Sequence, residues 1–281
     1  MAGLITRFAP SPTGPLHLGH AFSALTAWDI ARAKGGQFLL RIEDIDQPRC
    51  RPEYETGLKD DLQWLGLSWP EPAMRQSNRL PAYQAALERL TTMGQTYACT
   101  CTRADIRAAL SAPQEGATPI GPDGPVYPGT CRHAGHPSRG AAIRLNMAAA
   151  LAHLTAPLVI TETGPLHPGR HSIDPDHLLT HVGDIVLARR DIGTSYHLAV
   201  VLDDAAQGVT LVTRGADLYE ATPIHILLQR LLDLHHPAYH HHRLIRDDTG
   251  KRLAKRDDAR ALSKYRAEGL SPAAMRRLLG L

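Results

Sequence analysis

The chain has 281 residues, 43% of them hydrophobic, and a formal net charge of +3. This length allows one large domain with an insertion, or two domains. It contains no apolar run of the roughly twenty residues that a membrane span needs, and no basic-then-apolar leader typical of a secretory signal. Its four cysteines are too few for a disulfide framework. We therefore expect a reduced, cytoplasmic protein that is not bound to a membrane.

The chain opens with a predicted strand, a sharp turn and a helix. Residues 4–8 are apolar and β-branched, as in a short strand. Three prolines and a glycine between residues 10 and 15 force a turn, and the apolar residues that follow recur at helical spacing. A helix that begins there directs its unbonded N–H groups and the positive end of its dipole above the strand. The turn is therefore a predicted anion site.

Two histidines stand at the start of this helix. His17 and His20 are three residues apart, so both rings reach one face of the helix. Gly19 between them leaves room for a ligand to approach the backbone. A histidine pair at a helix start is more often simply structural, but the full run from Arg7 to His20 is much more specific. We interpret it as a polyphosphate site.

The next predicted strand, residues 37–44, completes a βαβ unit and so indicates a parallel sheet. Ligands of such sheets bind beyond the carboxyl ends of the strands. Glu43, Asp44 and Asp46 fall at that end and repel one another unless a cation is present, such as a substrate ammonium group or Mg²⁺. A helix cap or a surface salt bridge is the alternative for Asp44 and Asp46. Residues 53–66 and 78–94 read as amphipathic helices that pack on the core.

Three of the four cysteines are spaced as metal ligands. Cys99 and Cys101 are two residues apart and Cys131 follows thirty residues later, after a Gly/Pro/Ala-rich loop at 111–125. Zinc takes four ligands and accepts thiolates readily, so one position remains for Tyr127, His133 or His136. By chemistry alone His133 is preferred. Cys50 lies far from this group in sequence, and we expect a partly buried thiol there.

The second half of the chain alternates short strands and helices. Predicted strands cover 141–145, 158–160, 181–191 and 209–218, whereas 196–204 fits either a helix or a strand. Arg214 ends the last strand, where a guanidinium suits a carboxylate; a surface salt bridge with Asp217 is the alternative. The histidines at 235–236 and 240–242 lack helical ligand spacing, and we expect them on the surface.

The C-terminal segment is basic. From Arg243 to Arg277 it carries eleven lysine and arginine residues against five acidic ones. A phosphate-bearing partner at this end fits that excess, and a solvated helical surface fits it equally well.

The motifs together resemble the class I aminoacyl-tRNA synthetases of the glutamyl branch. The resemblance starts with RFAPSPTGPLHLGH and continues with RIEDID, CxC followed by YxxxC, RGAD, and RLAKR at 252–256 in the place of KMSKS. It implies an α/β fold: a Rossmann-type parallel sheet with an inserted zinc-binding, acceptor-stem-like subdomain and a short, mainly helical C-terminal region. The catalytic domain would then occupy 1–98 and 176–236, the insertion 99–175, and the lysine loop with the C-terminal helices 237–281.

The same resemblance assigns roles to individual residues. It makes the stretch from Tyr196 a helix and implies zinc ligation by Tyr127 rather than His133. In the lysine loop Lys255 is kept, but Arg252, Ala254 and Arg256 replace a lysine and two serines. The implied glutamate contacts are Arg7, Ser11, Glu43, Tyr196 and Arg214; the implied ATP contacts are His17, Gly19, His20 and Lys255, with Mg²⁺; the implied ligands of one structural zinc are Cys99, Cys101, Tyr127 and Cys131.

Within this branch the CxC…YxxxC pattern is similar to that of the short glutamyl-queuosine tRNA(Asp) synthetases. They form glutamyl-adenylate without tRNA and then transfer glutamate to queuosine in the anticodon of tRNA(Asp). The chain ends at Leu281, where full glutamyl-tRNA synthetases continue into an anticodon-binding domain, and we expect the queuosine activity and a monomer. The alternatives are a truncated glutamyl-tRNA synthetase that charges the tRNA 3′ end, and a tRNA-binding paralogue without catalysis.

Overall fold

The computed structural model describes residues 3–111, 119–246 and 260–281. Part of the predicted loop at 111–125 therefore lies outside the described residues. So does the lysine loop, with Arg252, Ala254, Lys255 and Arg256. Across the three described ranges, no helix combines the length and the apolar character that a membrane crossing requires.

The first half of the sheet is the predicted βαβ unit. Strands β1 and β2 are parallel, with their register running from Ile5 opposite Gln37 to Phe8 opposite Leu40. Helix α1 connects them and buries one side on the sheet, since a strand–helix–strand crossover packs its helix over the strands it joins. The elements of this half are β1 (Ile5–Phe8), α1 (Leu18–Ala33), β2 (Gln37–Ile42), α2 (Pro52–Trp64), β3 (Met74–Arg75) and α3 (Leu80–Thr92).

The second half adds a sheet in the order β11-β12-β8-β9. Strand β11 is parallel to β12, and its neighbour on the other side is β1: the amide of Thr210 donates to the carbonyl of Ile5 at 3.0 Å. The carboxyl ends of β1 and β11 therefore lie side by side, and a crevice opens above them. The elements are β8 (Val159–Glu162), β9 (Gly169–Ser172), α7 (Tyr196–Ala206), β11 (Leu211–Gly215), α8 (Thr222–Leu231) and β12 (Ala238–His242).

Between the two halves lies a small antiparallel sheet in the order β10-β7-β4, with a separate hairpin of β5 and β6. Strands β8 and β9, although they fall within 99–175, pair in the sheet of the second half. Of the predicted strand at 181–191 only β10 forms. The elements are β4 (Thr96–Cys99), α4 (Arg103–Leu110), β5 (Ile120–Gly121), β6 (Gly124–Pro125), β7 (Ala142–Leu145), α5 (Met147–Ala152), α6 (Pro175–His177) and β10 (Val186–Ala188).

Two C-terminal helices, α9 (Leu262–Ala267) and α10 (Pro272–Leu279), pack on the first half. The amide of Leu262 donates to the carbonyl of Leu16 at 2.8 Å, directly before α1. Arg276 donates to both carboxylate oxygens of Asp29 on α1, at 2.7 and 2.9 Å. These contacts fix the chain after residue 260 beside the histidine motif.

The expectation that the histidines at 240–242 lie on the surface is wrong for two of them. His241 is fully buried and His242 is 6% exposed, because β12 runs between β11 and β8 with both sheet neighbours in place. Buried imidazoles need hydrogen-bond partners, and His241 finds them in Arg214 and Glu162. His241 therefore belongs to a buried polar network that links β11, β12 and β8 through Arg214 and Glu162.

Candidate active site

A cavity of about 390 Å³ lies above the carboxyl ends of β1 and β11 and reaches the start of α1. The structure brings most of the predicted ligand-binding residues together in its wall: Arg7, His17, Gly19, His20, Glu43, Tyr196 and Arg214. Ser11 lines an adjoining cavity, which shares Glu43 and Tyr196 with the first.

The two histidines cap α1 with their own rings. Nδ1 of His17 accepts from the amide of Gly19 at 3.1 Å, and Nδ1 of His20 accepts from the amide of His17 at 3.2 Å. The rings stack with centroids 3.8 Å apart. Because each Nδ1 accepts a backbone N–H, the proton of each neutral ring resides on Nε2.

Gly19 makes room for one of these rings. A Cβ on Gly19 would lie 3.0 Å from a carbon of the His17 ring. The sequence predicts this glycine as space for a ligand. In the structure Gly19 lines the cavity, and its missing side chain also leaves room for the histidine that caps the helix. A Cβ at this position requires the His17 ring to shift by a few tenths of an ångström.

Arg7 is buried beneath the cavity and is held by Asp204 of α7. Its guanidinium donates to both carboxylate oxygens, at 2.9 and 3.3 Å, and to the carbonyl of Thr213 at 3.2 Å. These bonds engage three of its five N–H donors among the described residues. Burial raises the pKa of Asp204, but the charges of Arg7 and Arg41 outweigh it and hold this pKa below its usual range.

Asp204 was not predicted from the sequence as a site residue. The available signal is the pair of acids at 203–204 inside an otherwise apolar helix, since unpaired carboxylates are rarely buried. Asp204 also accepts from Arg41 at 2.7 Å. The carboxylate thus lies between two buried guanidinium groups.

Glu43 lines the cavity, and its side chain pairs with one arginine among the residues that the structure describes. One of its oxygens accepts from Arg41 at 3.0 Å. Burial raises the pKa of Glu43, and the attraction of Arg41 offsets part of this effect. A cationic ligand beside Glu43 would therefore be favoured in two ways, by charge and by replacing lost hydration.

The other two acids at this strand end have partners other than Arg41. Asp44 is buried and accepts from Arg75 at 3.0 Å and from the amide of Ser77 at 2.8 Å. Asp46 accepts from Arg49 at 2.7 Å. The predicted repulsion among the three acids is thus relieved by separate arginines. Asp46 thus forms a salt bridge with Arg49, as in the surface alternative, whereas the salt bridge of Asp44 with Arg75 involves a buried carboxylate.

Arg214 is 5% exposed and enters the cavity from β11. Its three nitrogens donate to Nε2 of His241 at 3.0 Å, to Nδ1 of His225 at 3.0 Å and to the hydroxyl of Thr222 at 2.8 Å. The alternative of a surface salt bridge with Asp217 does not describe this buried group. Among the described residues these bonds engage three of its five N–H donors.

The cysteine group lies in the insertion, away from this cavity. The sulfurs of Cys99, Cys101 and Cys131 all lie within 4.8 Å of one another. Tyr127 completes the group, with its hydroxyl 3.4 Å from the sulfurs of Cys99 and Cys101. A tetrahedral zinc with bonds of about 2.3 Å separates two sulfurs by about 3.8 Å, so the arrangement fits zinc. Among the described residues, His133 does not belong to this group of possible metal ligands.

The sequence of the chain also matches a known protein family and several named relatives. Residues 3–281 match the model of the tRNA synthetases class I (E and Q), catalytic domain. A protein of Rhodobacter capsulatus named Glutamyl-Q tRNA(Asp) synthetase is 64% identical over 99% of this chain and 100% of its own length. One of the same name from Deinococcus radiodurans is 46% identical over 95% of this chain and 84% of its own.

A crystal structure of a glutamate tRNA ligase from Elizabethkingia meningosepticum, in complex with its amino acid, has the same fold. The TM-score is 0.77 at 27% identity; the match covers 100% of this chain, which spans only 61% of that ligase. The predicted α/β class I fold with a parallel sheet is confirmed. The chain therefore belongs to the class I tRNA synthetase family (E and Q), as a relative of the proteins named Glutamyl-Q tRNA(Asp) synthetase.

Proposed function

We propose that this chain is a ligase that activates glutamate with ATP, without tRNA, and then transfers the glutamyl group to queuosine in the anticodon of tRNA(Asp). One observation carries the first step: two arginines, a glutamate and a histidine pair at a helix start line a single cavity. The names of the relatives at 64% and 46% identity support the acceptor.

In this proposal the cavity recognises both ends of glutamate. The side-chain carboxylate accepts N–H groups from Arg7 and Arg214, which each have two donors left after their bonds to the described residues. The ammonium group pairs with Glu43, whose single described partner is Arg41. Tyr196 and Ser11 line the shared wall of the two cavities and complete the substrate contacts.

The phosphates of ATP lie at the start of α1. Nε2–H of His17 and of His20 donates to the phosphate oxygens, since both Nδ1 atoms already accept backbone amides. Lys255 lies outside the described residues. The residues on either side of the lysine loop support the assignment of Lys255 to the ATP site. Ile245 lines the cavity, and Ala261 forms a backbone bridge with His17.

The chemistry of the first step is a displacement at phosphorus. An oxygen of the glutamate α-carboxylate forms a bond to the α-phosphorus of ATP, the bond from that phosphorus to the bridging oxygen breaks, and pyrophosphate leaves with the electron pair. Mg²⁺ bound with ATP screens the phosphate charge. The protein contributes positioning of the two substrates and stabilisation of the negative charge that develops on the leaving group.

The cysteine group holds one zinc ion in a structural role. Its four ligands, the three thiolates and Tyr127, leave no position for a catalytic water. The proposal includes a monomer in a reducing, cytoplasmic setting.

Mass analysis of the nucleosides from tRNA tests the proposal. Queuosine-containing tRNA(Asp) is incubated with the protein, ATP and glutamate, and digested. We expect the queuosine mass to increase by one glutamyl group, with unmodified tRNA(Asp) and tRNA(Glu) as controls. Glutamate attached to the 3′ end of tRNA(Glu) would support the truncated synthetase instead. Binding of tRNA without any glutamate-dependent ATP–pyrophosphate exchange would support the paralogue without catalysis.

A further inference from the structure

A line of hydrogen bonds leaves the cavity through Arg214. The guanidinium donates to Nδ1 of His225 at 3.0 Å, Nε2 of His225 lies 3.1 Å from Nδ1 of His197, and Nε2 of His197 lies 3.0 Å from a carboxylate oxygen of Asp123. His225 and His197 are buried in α8 and α7, whereas the side chain of Asp123 is 56% exposed. The line thus runs from the ligand cavity to the surface.

The position of every proton in this line follows from its first member. An arginine has no acceptor, so Nδ1 of His225 accepts and the proton of this ring lies on Nε2. That proton is donated to Nδ1 of His197, which leaves Nε2–H of His197 to donate to Asp123. Burial and the nearby charge of Arg214 lower the pKa of His225, which agrees with a neutral ring. If His197 or His225 were protonated on both nitrogens, or carried its single proton on Nδ1, one of these hydrogen bonds would be lost.

Asp123 stands in the turn between β5 and β6, in the hairpin of the insertion. This hairpin is seated closely on the chain before β10, because a Cβ on Gly121 would lie 2.4 Å from the carbonyl oxygen of His181. From this hairpin the carboxylate of Asp123 contacts His197 of α7, at 3.0 Å. It is a contact between the insertion and the residues that hold Arg214.

We propose that Asp123, His197 and His225 are positioning residues that orient the Arg214 guanidinium and so set the affinity for glutamate. The inference rests on the proposed role of Arg214 in binding the substrate carboxylate. Asp123 fixes the ring of His197, His197 fixes His225, and His225 fixes the plane of the guanidinium. The insertion thereby acts on the amino-acid site without touching the substrate.

Glutamate-dependent ATP–pyrophosphate exchange without tRNA tests this inference. We expect Asp123→Ala to raise the KM for glutamate roughly tenfold, the size of one lost hydrogen bond to a charged group, with the KM for ATP and kcat within about twofold of wild type. Asp123→Asn keeps an acceptor oxygen and should restore most of the affinity. Asp105→Ala is the matched control, since Asp105 is an exposed acid of the same insertion that caps α4.

Arg214→Lys separates failure of the inference from failure of the proposed function. If Arg214→Lys raises the KM for glutamate while Asp123→Ala leaves it unchanged, the positioning role is wrong and the proposed function stands. If Arg214→Lys has no effect on this KM, the role of Arg214 is wrong and the inference is lost with it. Equal changes of both KM values and kcat in Asp123→Ala would indicate a merely structural role and overturn the proposal.

The ring protons can be observed without any activity. Long-range ¹H–¹⁵N NMR spectra of the wild-type chain should show His197 and His225 as neutral rings with the proton on Nε2. In Asp123→Asn these signals should remain, and in Asp123→Ala the His197 signals should change. A proton on Nδ1 of either ring in wild type would contradict the proposed order of the bonds.

Discussion

Arg7 donates two hydrogen bonds to Asp204, at 2.9 and 3.3 Å, in the buried layer directly beneath the cavity. The second arginine of this layer, Arg41, is fully buried and donates to the same carboxylate. Asp204 thus accepts hydrogen bonds from two buried arginines and helps to orient both, and of these two only Arg7 lines the cavity.

Removing the charge of Asp204 should damage both stability and substrate binding. In Asp204→Asn two buried guanidinium groups lose their shared counter-charge, and breaking a buried pair in this way costs about 3–5 kcal/mol. We expect a loss of this order in the free energy of unfolding measured with urea. Asp191→Asn is the control, because Asp191 pairs with Arg189 at the surface and should change stability by less than about 0.5 kcal/mol. A loss under about 1 kcal/mol in Asp204→Asn would contradict this account.

Glu162 should make stability depend on pH in the acid range. Burial raises its pKa, but hydrogen bonds from His241 and from the amides of His241 and Gly164 outweigh it and lower this pKa from 4.5 to about 2. A lowered pKa stabilises the fold above the unfolded-state value, and this stabilisation is lost as the pH falls from about 4.5 toward 2. The linkage amounts to about 3 kcal/mol.

Glu162→Gln tests this linkage. The variant should be less stable than wild type by a few kcal/mol at pH 7, and the difference should shrink as the pH is lowered from 5 to 3 in urea titrations. A stability difference that does not change over this range would show that Glu162 has no lowered pKa in the folded protein.

The histidines at the start of α1 combine two roles that a substitution can separate. In His17→Asn the side-chain oxygen can still accept the Gly19 amide, as Nδ1 does at 3.1 Å, but the Nε2–H donor is lost. We expect kcat of ATP–pyrophosphate exchange to fall about 10²–10³-fold, with the melting temperature nearly unchanged. His17→Ala should lose both activity and stability. If His17→Asn retained the activity of the wild type, the His17 ring would only cap the helix and would not contribute to catalysis.

The zinc site should depend on Tyr127 and not on His133. We expect one zinc per chain by elemental analysis, strongly reduced in Cys101→Ala and bound more weakly in Tyr127→Phe, because the Tyr127 hydroxyl lies 3.4 Å from the sulfurs of Cys99 and Cys101. Chelation should lower the melting temperature, since a structural zinc contributes folding free energy. Loss of zinc in His133→Ala with full retention in Tyr127→Phe would reverse the assignment of the fourth ligand.

Features that are local in sequence were predicted well. The strand, turn and helix around His17, and the position of Arg214 at a strand end, follow from hydrophobic periodicity and turn residues within a few positions. Cys99, at the end of β4, packs with Tyr127 and Cys131 in one small buried cluster, against which Cys101 also packs. The resemblance was needed to choose a helix for the stretch that begins at Tyr196, since its apolar run fits both periods.

The partners of the arginines could not be predicted in this way. Asp204 is 197 positions from Arg7, and His241 reaches Arg214 only because β12 pairs with β11. No local pattern reports which buried acid meets which guanidinium. The same holds for Asp123, whose loop shows no periodicity and whose partner His197 lies 74 residues away. Tertiary packing determines which residues form these pairs, and this packing is seen in the structure and not in local sequence patterns.

The most direct test of the account is ATP–pyrophosphate exchange without tRNA, compared for glutamate, glutamine and aspartate with the zinc-loaded protein. If Arg7 and Arg214 bind the side-chain carboxylate, glutamate should support exchange and glutamine should fail by several orders of magnitude in kcat/KM, because its amide carries no negative charge and replaces one acceptor oxygen with an NH2 group that faces the guanidinium donors. Aspartate, one methylene shorter, should also be poor. Equal exchange with glutamine and glutamate, or none with any of the three, would contradict the account.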